Sequence, residues 1–195
     1  MHGLINRAIQ CYARDTHGDA AWAQIVRKGG LGFDSFETML TYDDALTEAV
    51  IVAAVDVLRR PREAILEDLG TFLVSNPNLD ALRRLLRFGG VTFTDFLQSL
   101  EDTRGRGRLA LPDLDLPELD LCEISSSLYT LHCRFPIEGS GHVLVGLLRA
   151  MADDYGALVV LDHDGYSAEG ERIVIQLLEV DYAEGRRFDL GVTDK

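Results

Sequence analysis

The chain has 195 residues, 47% of them hydrophobic and 26% charged, which is enough apolar material for one core and excludes disorder as the main state. Its 19 basic residues against 32 acidic ones give a net charge of −13. A field of that sign repels phosphate backbones and anionic bilayers, so neither nucleic acid nor a membrane is an expected partner.

In chain order, Leu4, Ile5, Ala8, Ile9 and Tyr12 form one stripe at helical spacing, predicting a helix over about 2–16. Gly18 breaks it. A second helix runs through Trp22, Ile25 and Val26 to the stop Gly29-Gly30. A third, over 43–59, starts on Asp43-Asp44, and Pro61 suits the start of a fourth over 61–74. Asn78 is placed to cap a fifth carrying Leu79, Leu82, Leu85 and Leu86. Thr92 and Asp95 resemble a capping box for a sixth over 91–103. Residues 104–120, with their glycines, arginines and two prolines, read as a connector. Residues 127–135 alternate like a strand: Tyr129, Leu131, Cys133 and Phe135 share one face, Thr130, His132 and Arg134 the other. A helix through Val143, Leu144, Leu147, Leu148 and Met151 follows. Two more strands, 158–163 and 172–178, flank a polar loop at Asp164-Gly165. The predicted class is therefore α+β: helices first, about 1–60 as one subdomain and 61–103 after it. An antiparallel sheet with its helix then occupies 121–182.

The chemistry legible in the residues is sparse. There is no P-loop, GxGxxG, HExxH or GxSxG, and no nucleophile–base pair, so an enzyme is not expected. Cys11, Cys122 and Cys133 form no CxxC or zinc spacing, and a reduced, cytoplasmic setting is the simplest reading. The opening MHGLINRAIQ has no signal-peptide apolar run, and no stretch reaches the ~18 apolar residues of a membrane span. His132 and Cys133 are strand neighbours on opposite faces and cannot form a direct dyad; the plain reading is a half-exposed histidine and a buried thiol. His2, His17, His142 and His163 are scattered. Asp162, His163 and Asp164 could approach a cation, though a solvated loop is the plainer reading. Arg104 to Arg108 is a basic cluster in an acidic chain, either a docking site for acid or phosphate or a flexible connector whose arginines balance nearby carboxylates.

The order of several segments resembles one family. MHGLINRAIQ, His17-Gly18, and then Trp22 and Ile25 look like its opening helix pair. Tyr42-Asp43-Asp44, the run Ala64 to Phe72, Phe96-Leu97-Gln98-Ser99-Leu100, Leu111-Pro112 with Leu116-Pro117, and Val145-Gly146-Leu147-Leu148 follow collinearly over nearly the whole chain. The family is the heme-nitric oxide/oxygen binding (H-NOX) domain, the sensor of soluble guanylate cyclase and its bacterial relatives. The resemblance implies a helical subdomain over an α+β subdomain, a heme, and partners such as histidine kinases or cyclic-nucleotide enzymes.

It also implies where heme would be held, and there this chain departs. The position of the family's iron-ligating histidine falls on Arg104, whose guanidinium offers no lone pair. The three positions of its Tyr-x-Ser-x-Arg motif, which holds the heme carboxylates, fall on Cys133, Phe135 and Ile137. If the strand continues through Pro136 these share one apolar face. The pocket candidates are thus Leu100, Arg104, Cys133, Phe135, Ile137 and Val143. The expectation is a stand-alone, bacterial, H-NOX-like regulatory domain with no heme and no metal. Its interior is filled by Phe135, Ile137 and neighbouring aliphatics, or holds another small apolar ligand. The rivals are a heme sensor with His132, Cys133 or His142 as axial ligand, and an adaptor that binds nothing.

Overall fold

The structure, a computed structural model, describes residues 1–188. Four helices open it. His2 starts α1 (Gly3–His17), its Nδ1 accepting the Leu4 N–H at 3.2 Å, and Gly18 (φ 87°) turns the chain at once into α2 (Asp19–Gly29). Asp43 caps α3 (Asp44–Leu58) by accepting the Ala45 N–H at 2.9 Å. Pro61 precedes α4 (Arg62–Ser75).

The next stretch differs from the expected pattern. Asn76, not Asn78, accepts the capping bond, and it caps a short 3-10 turn that leads into α5 (Asp80–Arg87). The Thr92–Asp95 capping box is present, but its helix, α6 (Phe93–Gln98), stops after six residues. The chain then forms a separate helix, α7 (Thr103–Ala110), inside the segment read as connector, and Pro112 lies just past its end. The connector's other end is also structured: β1 (Glu118–Ser125) pairs antiparallel with β2 (Leu128–Arg134). After α8 (Ser140–Tyr155), β3 (Leu158–Ser167) runs through the supposed loop at Asp164-Gly165 and turns at Ala168-Glu169 into β4 (Gly170–Glu179).

The four strands form one antiparallel sheet in the order β1-β2-β4-β3. Its inner face carries Tyr129, Leu131, Ile173 and Ile175, each at most 2% exposed, and packs on α8. These join Phe96 and Leu148 in a C-terminal core. A second core, with Tyr12, Trp22, Ile25, Val50 and Leu66, lies among α1 to α4. It extends past residue 60, because α4 contributes Ile65, Leu66 and Leu69 to it. The seam between the cores is the α4–α8 contact. There a Cβ on Gly70 would lie 1.9 Å from the Val143 carbonyl oxygen, and one on Gly146 would lie 1.8 Å from that of Glu67. Only glycine lets these two backbones touch.

Candidate functional site

The turn from β2 into α8 carries most of the candidate residues. Cys133 ends the inner face of β2, 1% exposed, with Sγ 3.7 Å from the Ser140 hydroxyl. Burial pushes its thiol up to about 11. The strand ends at Arg134, so Phe135 and Ile137 do not continue the face of Cys133; Pro136 has no N–H to extend the ladder. They lie in the turn itself. Ile137 is buried in the N-terminal core, and half-buried Val143 packs there too. Leu100, 3% exposed, belongs with Cys133 to the C-terminal core. Phe135 packs against both. The candidates are therefore divided between the two cores, with Phe135 touching both.

A buried acid fixes this turn. Glu171 faces Cys133 across the β2–β4 pair and is 4% exposed. Its Oε1 accepts the Ser140 hydroxyl at 3.1 Å, and its Oε2 accepts the Gly141 N–H at 2.9 Å and lies 2.8 Å from Nε2 of His163. The carboxylate so sits at the positive end of α8, where the helix dipole favours it. The His163 ring stacks on that of His142 (centroids 4.1 Å apart), and Nδ1 of His142 is 3.3 Å from Oε1 of Glu67. Glu171 thus ties the turn to β3 and β4, and the stacked rings carry that tie to α4. A fully buried carboxylate at Asp154 does similar work at the far end of α8, 2.7 Å from Nε of Arg83 and 3.6 Å from Nε of Arg87. Neither acid carries a local sequence signal, since their partners lie on other elements.

Arg104, the sixth candidate, lies on α7. Its Nη2 donates to Asp115 Oδ1 at 2.9 Å, and Nη1 is 3.7 Å from Oε2 of Glu118. Arg108 reaches the same Asp115 at 3.5 Å, and Arg134 binds Glu118 at 3.0 Å. The hydrogen bond and charge of Arg134, with the charge of Arg104 behind them, hold the Glu118 carboxyl below the ordinary carboxylate range. The arginine run does balance nearby carboxylates, on a helix rather than a loose connector.

The remaining candidate ligands are committed or misdirected. His132 is 8% exposed, not half-exposed, and its Nε2 lies 3.5 Å from Oε2 of Glu169 in the β3–β4 turn. It points to the sheet face opposite Cys133. His2 caps α1, His17 meets the Tyr12 hydroxyl at 3.3 Å, and His142 faces Glu67. Asp164 pairs with Arg172 and His163 turns inward, so the 162–164 trio does not converge. Among the described residues no group of three or more His, Cys, Asp or Glu side chains is placed to hold a metal ion.

Heme requires an axial donor and partners for two carboxylates. At the positions that the resemblance assigns to these roles, the donor is an ion-paired guanidinium. The carboxylate grips are a buried thiol, a phenyl ring and an aliphatic side chain, with the Glu171 carboxylate beside the first. These residues do not fit the group. An apolar cavity in the N-terminal core, bordered by Ile9, Tyr12, Trp22, Ile25 and Leu66, measures about 10 Å³, room for one water rather than a porphyrin.

The Haem-NO-binding family profile matches residues 2–163. The chain is 25% identical over 182 residues to soluble guanylate cyclase gcy-31 of Caenorhabditis elegans, covering 93% of this chain and 24% of that protein. It is 21% identical over 160 residues to soluble guanylate cyclase 89Da of Drosophila melanogaster, covering 82% and 24%. The chain thus spans about a quarter of the length of these relatives. Its fold superposes on an H-NOX protein from S. oneidensis in the Fe(II) ligation state, a triple mutant (TM-score 0.78, 18% identity, 96% of this chain and 100% of that one). It also superposes on the Fe(II) unliganded H-NOX protein from K. algicida (TM-score 0.77, 16% identity, 94% and 100%). The chain belongs to the Haem-NO-binding family, whose domains sense gases on behalf of partner domains or proteins and are not themselves catalytic.

Proposed function

We propose that this domain regulates a separate signalling protein, of the histidine-kinase or cyclic-nucleotide-enzyme class, without a His-ligated heme. The observation that supports it most is the pairing of Arg104 with Asp115, which puts a cation at the place where the family's iron ligand is expected. A second support is the turn. Burying two heme carboxylates beside Cys133, Phe135 and Ile137 would cost several kcal/mol with no partner to offset it. Glu171, itself buried one strand away, adds like-charge repulsion. The packing of Phe135 and Ile137 into the cores supports an interior filled by these side chains, or one that holds a small apolar ligand in place of heme.

A ladder of variants tests this by the Soret band after heme reconstitution. Arg104→His restores only an iron ligand and should still bind heme poorly. Adding Cys133→Tyr, Phe135→Ser and Ile137→Arg should be needed for stoichiometric uptake. Full uptake by Arg104→His alone would show that the turn does hold heme carboxylates, and would sink the second support.

A further inference from the structure

Helix α7 is held in an unusual way. Its eight residues, TRGRGRLA, include two glycines, each costing a helix about as much as any residue but proline. None of its residues from Thr103 to Leu109 is buried, and Leu109, its one large apolar side chain, is 87% exposed. Burial of its own apolar side chains therefore does not anchor it. Apart from the Leu116 side chain, which lies against Gly107, what reaches it is polar: Arg104 on Asp115 and Glu118, Arg108 on Asp115, and Arg106 donating to the Ser99 carbonyl at 2.8 Å. The acids are half-exposed, at 56% for Asp115 and 51% for Glu118, where ion pairs are weak and salt screens them. Arg134 grips Glu118 from β2 and also donates to the Glu169 carbonyl at 3.0 Å. The chain of charges thus runs from α7 to the sheet.

We propose that α7 is an ionic latch: a helix kept closed by Arg104 and Arg108 on Asp115 and Glu118, which opens by itself before the rest of the domain unfolds. Anything that competes for these charges releases it, whether salt, an acidic segment drawn to Arg104 or a basic one drawn to Asp115. The proposal concerns how α7 is held and stands independently of whether heme binds.

The test is amide hydrogen exchange on the full chain, with α4 as internal reference. Raising salt from 0.1 M to 1 M shortens the screening length from about 10 Å to about 3 Å. Exchange at 104–111 should then quicken roughly tenfold while 62–75 hold their rates. The double variant Asp115→Asn, Glu118→Gln should show the fast rate already at low salt. Gly105→Ala, whose Cβ would meet nothing within 4 Å, should slow exchange without touching an ion pair. Exchange at 104–111 that follows α4 in every condition would overturn the latch, as would exchange indifferent to both salt and the double variant. So would a rate at low salt already equal to that of an unprotected peptide. A Soret band, present or absent, does not bear on these outcomes.

Discussion

The α4–α8 seam and α7 use the same residue to opposite ends. At the seam Gly70 and Gly146 remove side chains so that two backbones can meet, and both cores close around the contact. In α7, Gly105 faces open space, and Gly107 gives way only to the side chain of Leu116. The seam is fixed by shape, α7 by charge. The ionic anchors differ in the same way: Asp154 is fully buried under Arg83 and Arg87, whereas Asp115 stands half in water. A domain built like this keeps one rigid joint and one loose one.

The contrast breaks most visibly at Asp154. Asp154→Ala leaves the nearly buried Arg87 facing no acid and Arg83 only the half-exposed Asp80, and should cost about 3–5 kcal/mol in urea unfolding. Gly146→Ala drives a methyl into the Glu67 carbonyl and should cost about 1–3 kcal/mol or more, as overpacked sites do. Gly105→Ala should instead raise stability by up to about 1 kcal/mol where α7 is closed. Asp115→Ala should change global stability by less than about 1 kcal/mol, the value of an exposed pair. If Asp115→Ala matched Asp154→Ala, the distinction between the two anchors would be wrong.

A pH series sharpens the same point. Folding holds the Glu118 carboxyl below its ordinary range, so the folded state prefers the ionised form. Its contribution is full above the unfolded value, near 4.3 for a free glutamate at about 25 °C, and is lost as pH falls through the lower folded value. Arg134 on β2 is the larger cause and Arg104 the smaller, so the β1–β2 pair loses most in that acid range, and protection of α7 should fade in part, ahead of the unfolding of α4. Loss of both at one pH would contradict a separately opening helix.

The sequence shows the seam better than the latch. Periodic stripes in α1, α3 and α4 announce themselves because their burial is one-sided and local, and the Thr92–Asp95 box marks the start of its helix but not its early end at Gln98. α7 has no stripe, and its glycines argue for a loop; its arginines pair with acids that follow the helix, at Asp115 and Glu118. β1 is an edge strand in which Leu119 alone is buried, its acidic residues facing out as edge strands often have them, and that composition looks like a linker. At the site, the resemblance points to Arg104, Cys133, Phe135 and Ile137 as candidates. Their geometry is not legible in the sequence: Pro136 ends the strand early, and Glu171 enters from β4. The partner of His132, Glu169, likewise lies thirty-seven positions away along the chain.

The central claim is that a fold of this family has exchanged a metal-centred interior for a filled one and an ion-paired helix. Titration of the purified wild-type chain with ferrous heme, followed by nitric oxide, tests it most directly. The account predicts weak, substoichiometric binding and no nitric oxide-dependent shift of a Soret band. Stoichiometric uptake with a Soret band that moves on adding nitric oxide would contradict it, and loss of that band in Cys133→Ala, His132→Ala or His142→Ala would then name the ligand.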